Sequence, residues 1–312
     1  LRFLFDRQEF VMDSGISVFL TDKKGTIPLE SSLSAILIQK QGAPVPFEVV
    51  VAGHGLLGSV EGPAAGYRTV LLEKGEGWFG FLRQAAEVSR FDVLAFTDSH
   101  CIVSRDWISR IKEHLGKRQV LSGAVDHGER FVERFSGVTT HGEFLSPERK
   151  RIANLFDGNF VIRKEALKAV LPDLPVKPPV SDGAGALLLA RVFERKGIPV
   201  CHEPGLRVFH ESETFLQSLR MWFRVYGPNT LITRCLDRSL PGARFTDFPW
   251  AVPVVFASGR GISLMSKILR NRRAYRMKPH EAALSLAWIS AAMVSYGLGM
   301  VSCEQKITKG CE

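Results

Sequence analysis

The apolar run Val93–Thr97 (VLAFT) limits the fold more than any other stretch. It is short, bounded by polar residues and apolar at successive positions, which fits a strand buried on both faces. Similar runs lie at Ile16–Leu20, Phe47–Val51, Tyr67–Leu72 and Val120–Val125. Between them, Glu30–Gln39, Trp78–Ser89 and Asp106–Leu115 carry helical spacing, with Ser104 placed as an N-cap before the last. Strands alternating with helices argue an α/β fold, with a mostly parallel central sheet flanked by helices and joined by right-handed crossovers. In open sheets of this kind ligands bind beyond the carboxyl ends of the strands. The run Val93–Thr97 ends there in Asp98-Ser99-His100.

The chain has 312 residues, 45% hydrophobic and 23% charged, which is ordinary for a globular protein and argues against general disorder. Its net charge of +9 favours an anionic partner, such as a nucleotide or an acidic membrane surface. No nucleic-acid-binding signature accompanies the charge, so nucleic acid is not expected. The five cysteines are widely spaced and include no C-x-x-C, so neither a zinc knuckle nor a disulfide framework is indicated, and a reducing cytosol is the simpler reading. The first residues, LRFLFDRQEF, are too charged for a signal peptide.

In an extended segment residues i and i+2 point the same way, so Asp98 and His100 can share one divalent cation. The plainer alternative is a strand-end Asp that caps a turn, followed by an unrelated His. The segment from Val93 through Asp98-Ser99-His100-Cys101 to Trp107 resembles the metal-binding segment of nucleotide-sugar glycosyltransferases with the GT-A fold. Most of those carry Asp-x-Asp; the polypeptide N-acetylgalactosaminyltransferases carry Asp-x-His followed by Cys, as here. The order of elements is similar to a family 2 glycosyltransferase with that variant.

The resemblance implies a GT-A (nucleotide-diphospho-sugar transferase) fold, a nucleotide-diphospho-sugar donor and Mn2+ (or Mg2+). Asp98 and His100 would hold the metal with His210, at the end of a later strand, as third ligand, and Asp98 and Ser99 would face the donor. The second strand of the family ends in Asp residues that contact the base. Here that place reads Ala52-Gly53-His54-Gly55, which leaves Asp22 as the acidic candidate, or else as a solvated loop residue. Phe156–Leu167 resembles the family's G-N-x-x-x-R segment, in which Asn159 touches donor or acceptor; the alternative is an Asn that satisfies turn backbone. After the proline-rich Pro172–Pro179, Ser181-Asp182 stands where the family has Glu-Asp at a helix start. Asp182 would be the catalytic base of an inverting enzyme, or simply the helix N-cap. His210 has a structural alternative too. Arg130–Arg151 is charged and poorly periodic and reads as a surface excursion.

From Phe215 on the sheet pattern stops. Phe215–Tyr226 is amphipathic and basic, and Asn271–Lys278 is rich in Arg and Lys. Trp250–Ala257 is too short to span a bilayer, whereas Ala282–Ser302 has the length but is rich in small residues. The expected organisation is a catalytic domain over 1–212 and a helical, membrane-associated region over 213–312. Attachment would be to the cytoplasmic face, shallow or re-entrant rather than spanning. The expected function is transfer of a sugar from a nucleotide-diphosphate donor to an envelope, lipid-linked or polysaccharide acceptor, that is, a glycan or lipid-linked partner at a membrane surface. The alternatives are a non-catalytic membrane-associated scaffold with the same fold and, more remotely, a metal hydrolase. Donor hydrolysis with added Mn2+ separates enzyme from scaffold.

Overall fold

The computed structural model describes residues 15–22, 29–53, 67–71, 77–116, 118–175, 182–211, 214–248, 251–272, 275 and 277–309. The strands are β1 (Ile16–Asp22), β2 (Phe47–Gly53), β3 (Arg68–Leu71), β4 (Val93–Asp98), β5 (Cys101–Val103), β6 (Val120–Asp126), β7 (Lys150–Arg151), β8 (Asn159–Arg163) and β9 (Val200–His210). The helices are α1 (Leu29–Leu37), α2 (Gly77–Val88), α3 (Trp107–Leu115), α4 (Phe131–His141), α5 (Lys164–Val170), α6 (Asp182–Arg195), α7 (Phe215–Met221), α8 (Gly227–Leu236), α9 (Val252–Asn271) and α10 (Pro279–Lys309). One sheet runs in the order β3-β2-β1-β4-β8-β6-β9-β5, with β7 paired to β9.

The sheet is mixed, which corrects the expectation of a mostly parallel one. Pairs β1–β2, β1–β4, β2–β3 and β6–β9 are parallel, while β4–β8, β6–β8, β5–β9 and β7–β9 are antiparallel. Hydrophobic pattern sets which face of a strand is buried but not its direction. The direction of β8 matters for function: Asn159 pairs with Thr97, so the chain enters β8 beside Asp98.

Both faces of the sheet are covered, as the apolar runs require. On one face Phe19, Phe96 and Phe160 are directly paired across β1, β4 and β8. Their rings stack at 5.3 Å and 4.4 Å between centroids. Phe81 of α2 stands edge-on to Phe96 at 5.7 Å, and Trp78 closes on Phe160. On the other face Val18, Leu20, Ala95 and Val161 meet Ile36 of α1 and Trp107, Ile108 and Ile111 of α3. Each of the fully buried Val, Leu, Ile and Phe side chains among them contributes about 1.5–3 kcal/mol.

Two further expectations change. Residues 130–151 are not merely a surface excursion, because α4 occupies the first half, opened by a hydrogen bond from the Arg130 backbone N–H to the Glu133 carboxylate at 2.8 Å. Phe135 and Val138 of α4 are buried against Leu264 and Ile268 of α9 and Ile289, Ala292 and Tyr296 of α10. Arg134 adds an ion pair to Glu281 at 2.6 Å. The C-terminal helices therefore form a layer packed onto α4. Within the short apolar stretch, residues 252–257 are only the start of α9, a helix of 20 residues. Both α9 and α10 are long and apolar enough to cross a membrane by length and composition.

Candidate active site

The carboxyl ends of β1, β2 and β4 lie side by side, with Thr21 paired to Asp98 and Asp22 to Gly53. Asp98 ends β4 and is 6% exposed. Its Oδ1 accepts the backbone N–H of His100 at 2.9 Å, the hydrogen bond that turns the chain out of the strand. Ser99 is locked in that turn: its N–H donates to Thr21 O at 2.9 Å and its carbonyl accepts from the Ser32 hydroxyl at 3.0 Å. Gly158 lies against the other side of the carboxylate; a Cβ there would meet Asp98 Oδ2 at 3.0 Å and Cys101 Sγ at 2.9 Å. The glycine thus keeps the space beside Asp98 clear.

His100 Nδ1 lies 3.9 Å from Asp98 Oδ1. Two ligands each about 2.1 Å from a six-coordinate ion stand roughly 3 Å apart. One oxygen and one imidazole nitrogen at this separation fit a single divalent cation, after a small side-chain adjustment, with the remaining positions left to other oxygens.

The ligand atoms of His210, the expected third ligand, do not lie within 4.8 Å of those of both Asp98 and His100. Its ring centroid is 6.3 Å from that of His100. His210 pairs directly with Cys101 across β5 and β9, and Cys101 Sγ borders the Gly158 position together with Asp98 Oδ2, so His210 stands on the side of the sheet that carries Asp98. There His210 meets two imidazoles that the sequence reading passed over, His127 after β6 and His141 at the end of α4. The ring centroids lie 5.7 Å and 4.9 Å from that of His210. Among the described residues, only these three histidines form a group of at least three His, Cys, Asp or Glu side chains with ligand atoms all within 4.8 Å of one another. Burial, and then the charge His210 would carry, push His127 down to about 3 and His141 well below the ordinary imidazole range. Both are neutral at neutral pH.

Asn159 is also corrected. It is fully buried, and its side chain repairs the sheet. The β6–β9 register jumps from Gly123↔Glu203 to Ala124↔Arg207. Across that break Asn159 Nδ2 donates to Ala124 O at 3.0 Å and Leu206 O at 2.9 Å, while Oδ1 accepts the Trp107 indole N–H at 3.0 Å. Every hydrogen-bonding function of the amide is engaged except one lone pair, so none of its protons is left for a donor or acceptor. Asp182 opens α6, as expected of a helix-start carboxylate. The side chains of Asp22 and Asp182, together with His54, Gly55, Ser181 and Glu213, lie outside the described residues.

No family model matches the chain, and no curated protein matches it. Among solved structures, the mannosyltransferase PcManGT from Pyrobaculum calidifontis, in complex with GDP-Man and Mn2+, aligns with a TM-score of 0.52 at 14% identity, over 91% of this chain and 87% of that one. Glucosyl-3-phosphoglycerate synthase from Mycobacterium tuberculosis, in complex with Mn2+, UDP and phosphoglyceric acid, aligns with a TM-score of 0.46 at 16% identity, over 72% of this chain and 77% of that one. The first alignment covers the sheet and the helical layer together. The fold is therefore a mixed α/β fold of the GT-A type.

Proposed function

We propose that the chain is a metal-dependent glycosyltransferase that moves a sugar from a nucleotide-diphosphate donor to an envelope, lipid-linked or polysaccharide acceptor. The observation that carries this reading is the Asp98–His100 pair at the carboxyl end of β4, in a fold shared with a mannosyltransferase whose structure holds GDP-Man and Mn2+. Asp98 and His100 would hold Mn2+ or Mg2+, which supplies positive charge against the leaving diphosphate. Ser99 fixes the turn that presents both ligands, and Asp22, at the carboxyl end of β1, is the acidic residue assigned to the nucleotide.

Asp182 is assigned the proton. Its place at the first turn of α6 favours the ionised carboxylate through the helix dipole. An ionised carboxylate there takes the acceptor hydroxyl proton as the new glycosidic bond forms, with inversion at the sugar carbon. Residues 1–212 form the catalytic unit and 213–312 the membrane-associated helices, on the cytoplasmic face.

The reading is tested by titrating UDP and GDP with and without Mn2+. Metal-assisted binding is expected for the parent protein and lost in His100→Ala. Asp182→Asn is expected to keep that binding and to transfer sugar on the order of 10²–10⁴-fold more slowly. Unchanged metal-assisted binding in His100→Ala would remove the metal assignment, and parental turnover in Asp182→Asn would reduce Asp182 to a helix cap.

A further inference from the structure

We propose that His127, His141 and His210 form a second, all-imidazole metal site that takes Zn2+ or a cation of the same ligand preference and ties α4 to the end of the sheet. The site adjoins the Asp98–His100 pair, with Phe156 and Cys101 between them, and its argument does not depend on sugar transfer.

The first support is convergence. The three residues come from three elements: the chain just past β6, the C-terminal end of α4 and the last position of β9. Their ligand atoms lie within 4.8 Å of one another, and the rings are 4.9–5.7 Å apart between centroids. Ligands about 2.0–2.1 Å from a tetrahedral zinc stand roughly 3.4 Å apart. Rotations of three side chains by about an ångström would close the set, with no rearrangement of backbone.

The second is the shape of α4. Gly137 is one helical turn before His141, on the same face. A Cβ at Gly137 would collide with the His127 ring, so the missing side chain lets that imidazole lie against the helix beside His141. Phe156 covers the cluster, with its ring centroid 4.8 Å from that of His141 and 6.0 Å from that of His210. All three histidines are half-buried, so the site has an apolar wall and still admits an ion.

The third is the tautomer of His141. The Thr140 hydroxyl donates its single proton to Ser136 O at 2.7 Å. It can then only accept at its 2.9 Å contact with His141 Nδ1, so Nδ1 carries the hydrogen and Nε2 keeps its lone pair. A metal-binding histidine whose other nitrogen is held by a hydrogen bond is the usual arrangement in zinc sites. A set of three imidazoles without a carboxylate suits zinc, copper, nickel or iron over magnesium or calcium. Three protein ligands leave one tetrahedral position for water or an anionic oxygen.

Zn2+ and Co2+ titration of the full, metal-stripped chain tests the site. One equivalent of Co2+ should bind outside the Asp98–His100 pair, with visible absorption that Zn2+ displaces. His141→Gln should abolish that signal, and Thr140→Val should weaken affinity about 10- to 100-fold through the lost tautomer control. His100→Ala should leave the signal in place while losing Mn2+-assisted nucleotide binding, which separates this site from the donor metal. X-ray absorption on the Zn2+-loaded parent needs no variant and should show about three imidazole ligands. Fewer than two imidazoles, no uptake by the parent, or a signal lost in His100→Ala and kept in His141→Gln would each overturn the proposal.

Discussion

At the scale of single residues, Asn159 and His202 illustrate how burial decides what a polar side chain is for. Asn159→Ala would strand two carbonyls and an indole N–H in the core, at Ala124, Leu206 and Trp107. Each such loss costs about 1–3 kcal/mol, and the three are not additive, so a destabilisation of about 3 kcal/mol is expected in urea unfolding. A donor-contacting Asn would behave differently: its loss would weaken nucleotide binding and leave the unfolding midpoint in place. His202 is also fully enclosed, with Nε2 2.9 Å from Ser146 O. Burial lowers its pKa below the ordinary value of about 6.5. The unfolded chain then binds the proton more readily than the folded one as pH drops through 6.5. The stability tied to His202 is thus complete above that pH and lost progressively below it. Urea midpoints should fall between pH 7.5 and pH 5.5, and His202→Gln should make that fall shallower without abolishing it, because buried His127 and His141 contribute over the same window. An equal fall in the variant would place the effect on other groups.

At the scale of elements, legibility followed periodicity. The strands β1, β2, β4 and β6 and the helices α2 and α3 stand within two residues of the sequence expectation, because each carries an unbroken apolar run or a clear helical stripe. The pair Asp98 and His100 was legible for the same reason, since it ends such a run. The helix α4 was not. Its Gly137, Val138, Thr139 and Thr140 are weak helix formers, and its buried face is recognised only once α9 and α10 lie against it. Missing α4 hid His127 and His141, which no local pattern links to His210. The strand β9 breaks register opposite β6, and Asn159 could not be assigned without that break. Close helix approach was equally invisible. A Cβ on Gly299 of α10 would enter the Phe223 carbonyl, and one on Gly227 of α8 would meet the Tyr296 carbonyl. Gly299→Ala must push α10 off the Trp222–Tyr226 turn, and overpacking of this kind costs about 1–3 kcal/mol. A lower melting temperature with unchanged nucleotide binding is expected. A melting temperature equal to the parent's would show that the helices slide apart at no cost.

At the scale of the whole molecule, the helical layer packs on α4 with one side and leaves apolar residues exposed on the other. The outer surface of that layer exposes Val254, Ile262 and Leu269 on α9 and Val294, Leu298 and Val301 on α10. The last three fall at i, i+4 and i+7, a single helical stripe. The turn between the two helices carries Arg272 and Lys278, and the net charge of the chain is +9. Exposed apolar residues on α9 and α10, with cations in the turn that joins the two helices, match the requirements of an anionic bilayer surface, where apolar side chains enter the acyl boundary and cations stay with the headgroups. Val294→Ser, Leu298→Ser and Val301→Ser together remove three insertions worth about 1.5–3 kcal/mol each when fully buried. The triple variant should sediment with anionic liposomes at least tenfold less well than the parent, by that estimate, while binding nucleotide and Mn2+ normally because α10 lies away from Asp98. Raising salt from 0.1 to 1 M shortens the screening length from about 10 Å to about 3 Å, so it should release a surface-attached chain and leave a spanning one in the pellet. Co-sedimentation that persists in the triple variant and at high salt would mean that α9 and α10 cross the bilayer. Failure of the parent protein to pellet would mean that the stripe packs against protein instead.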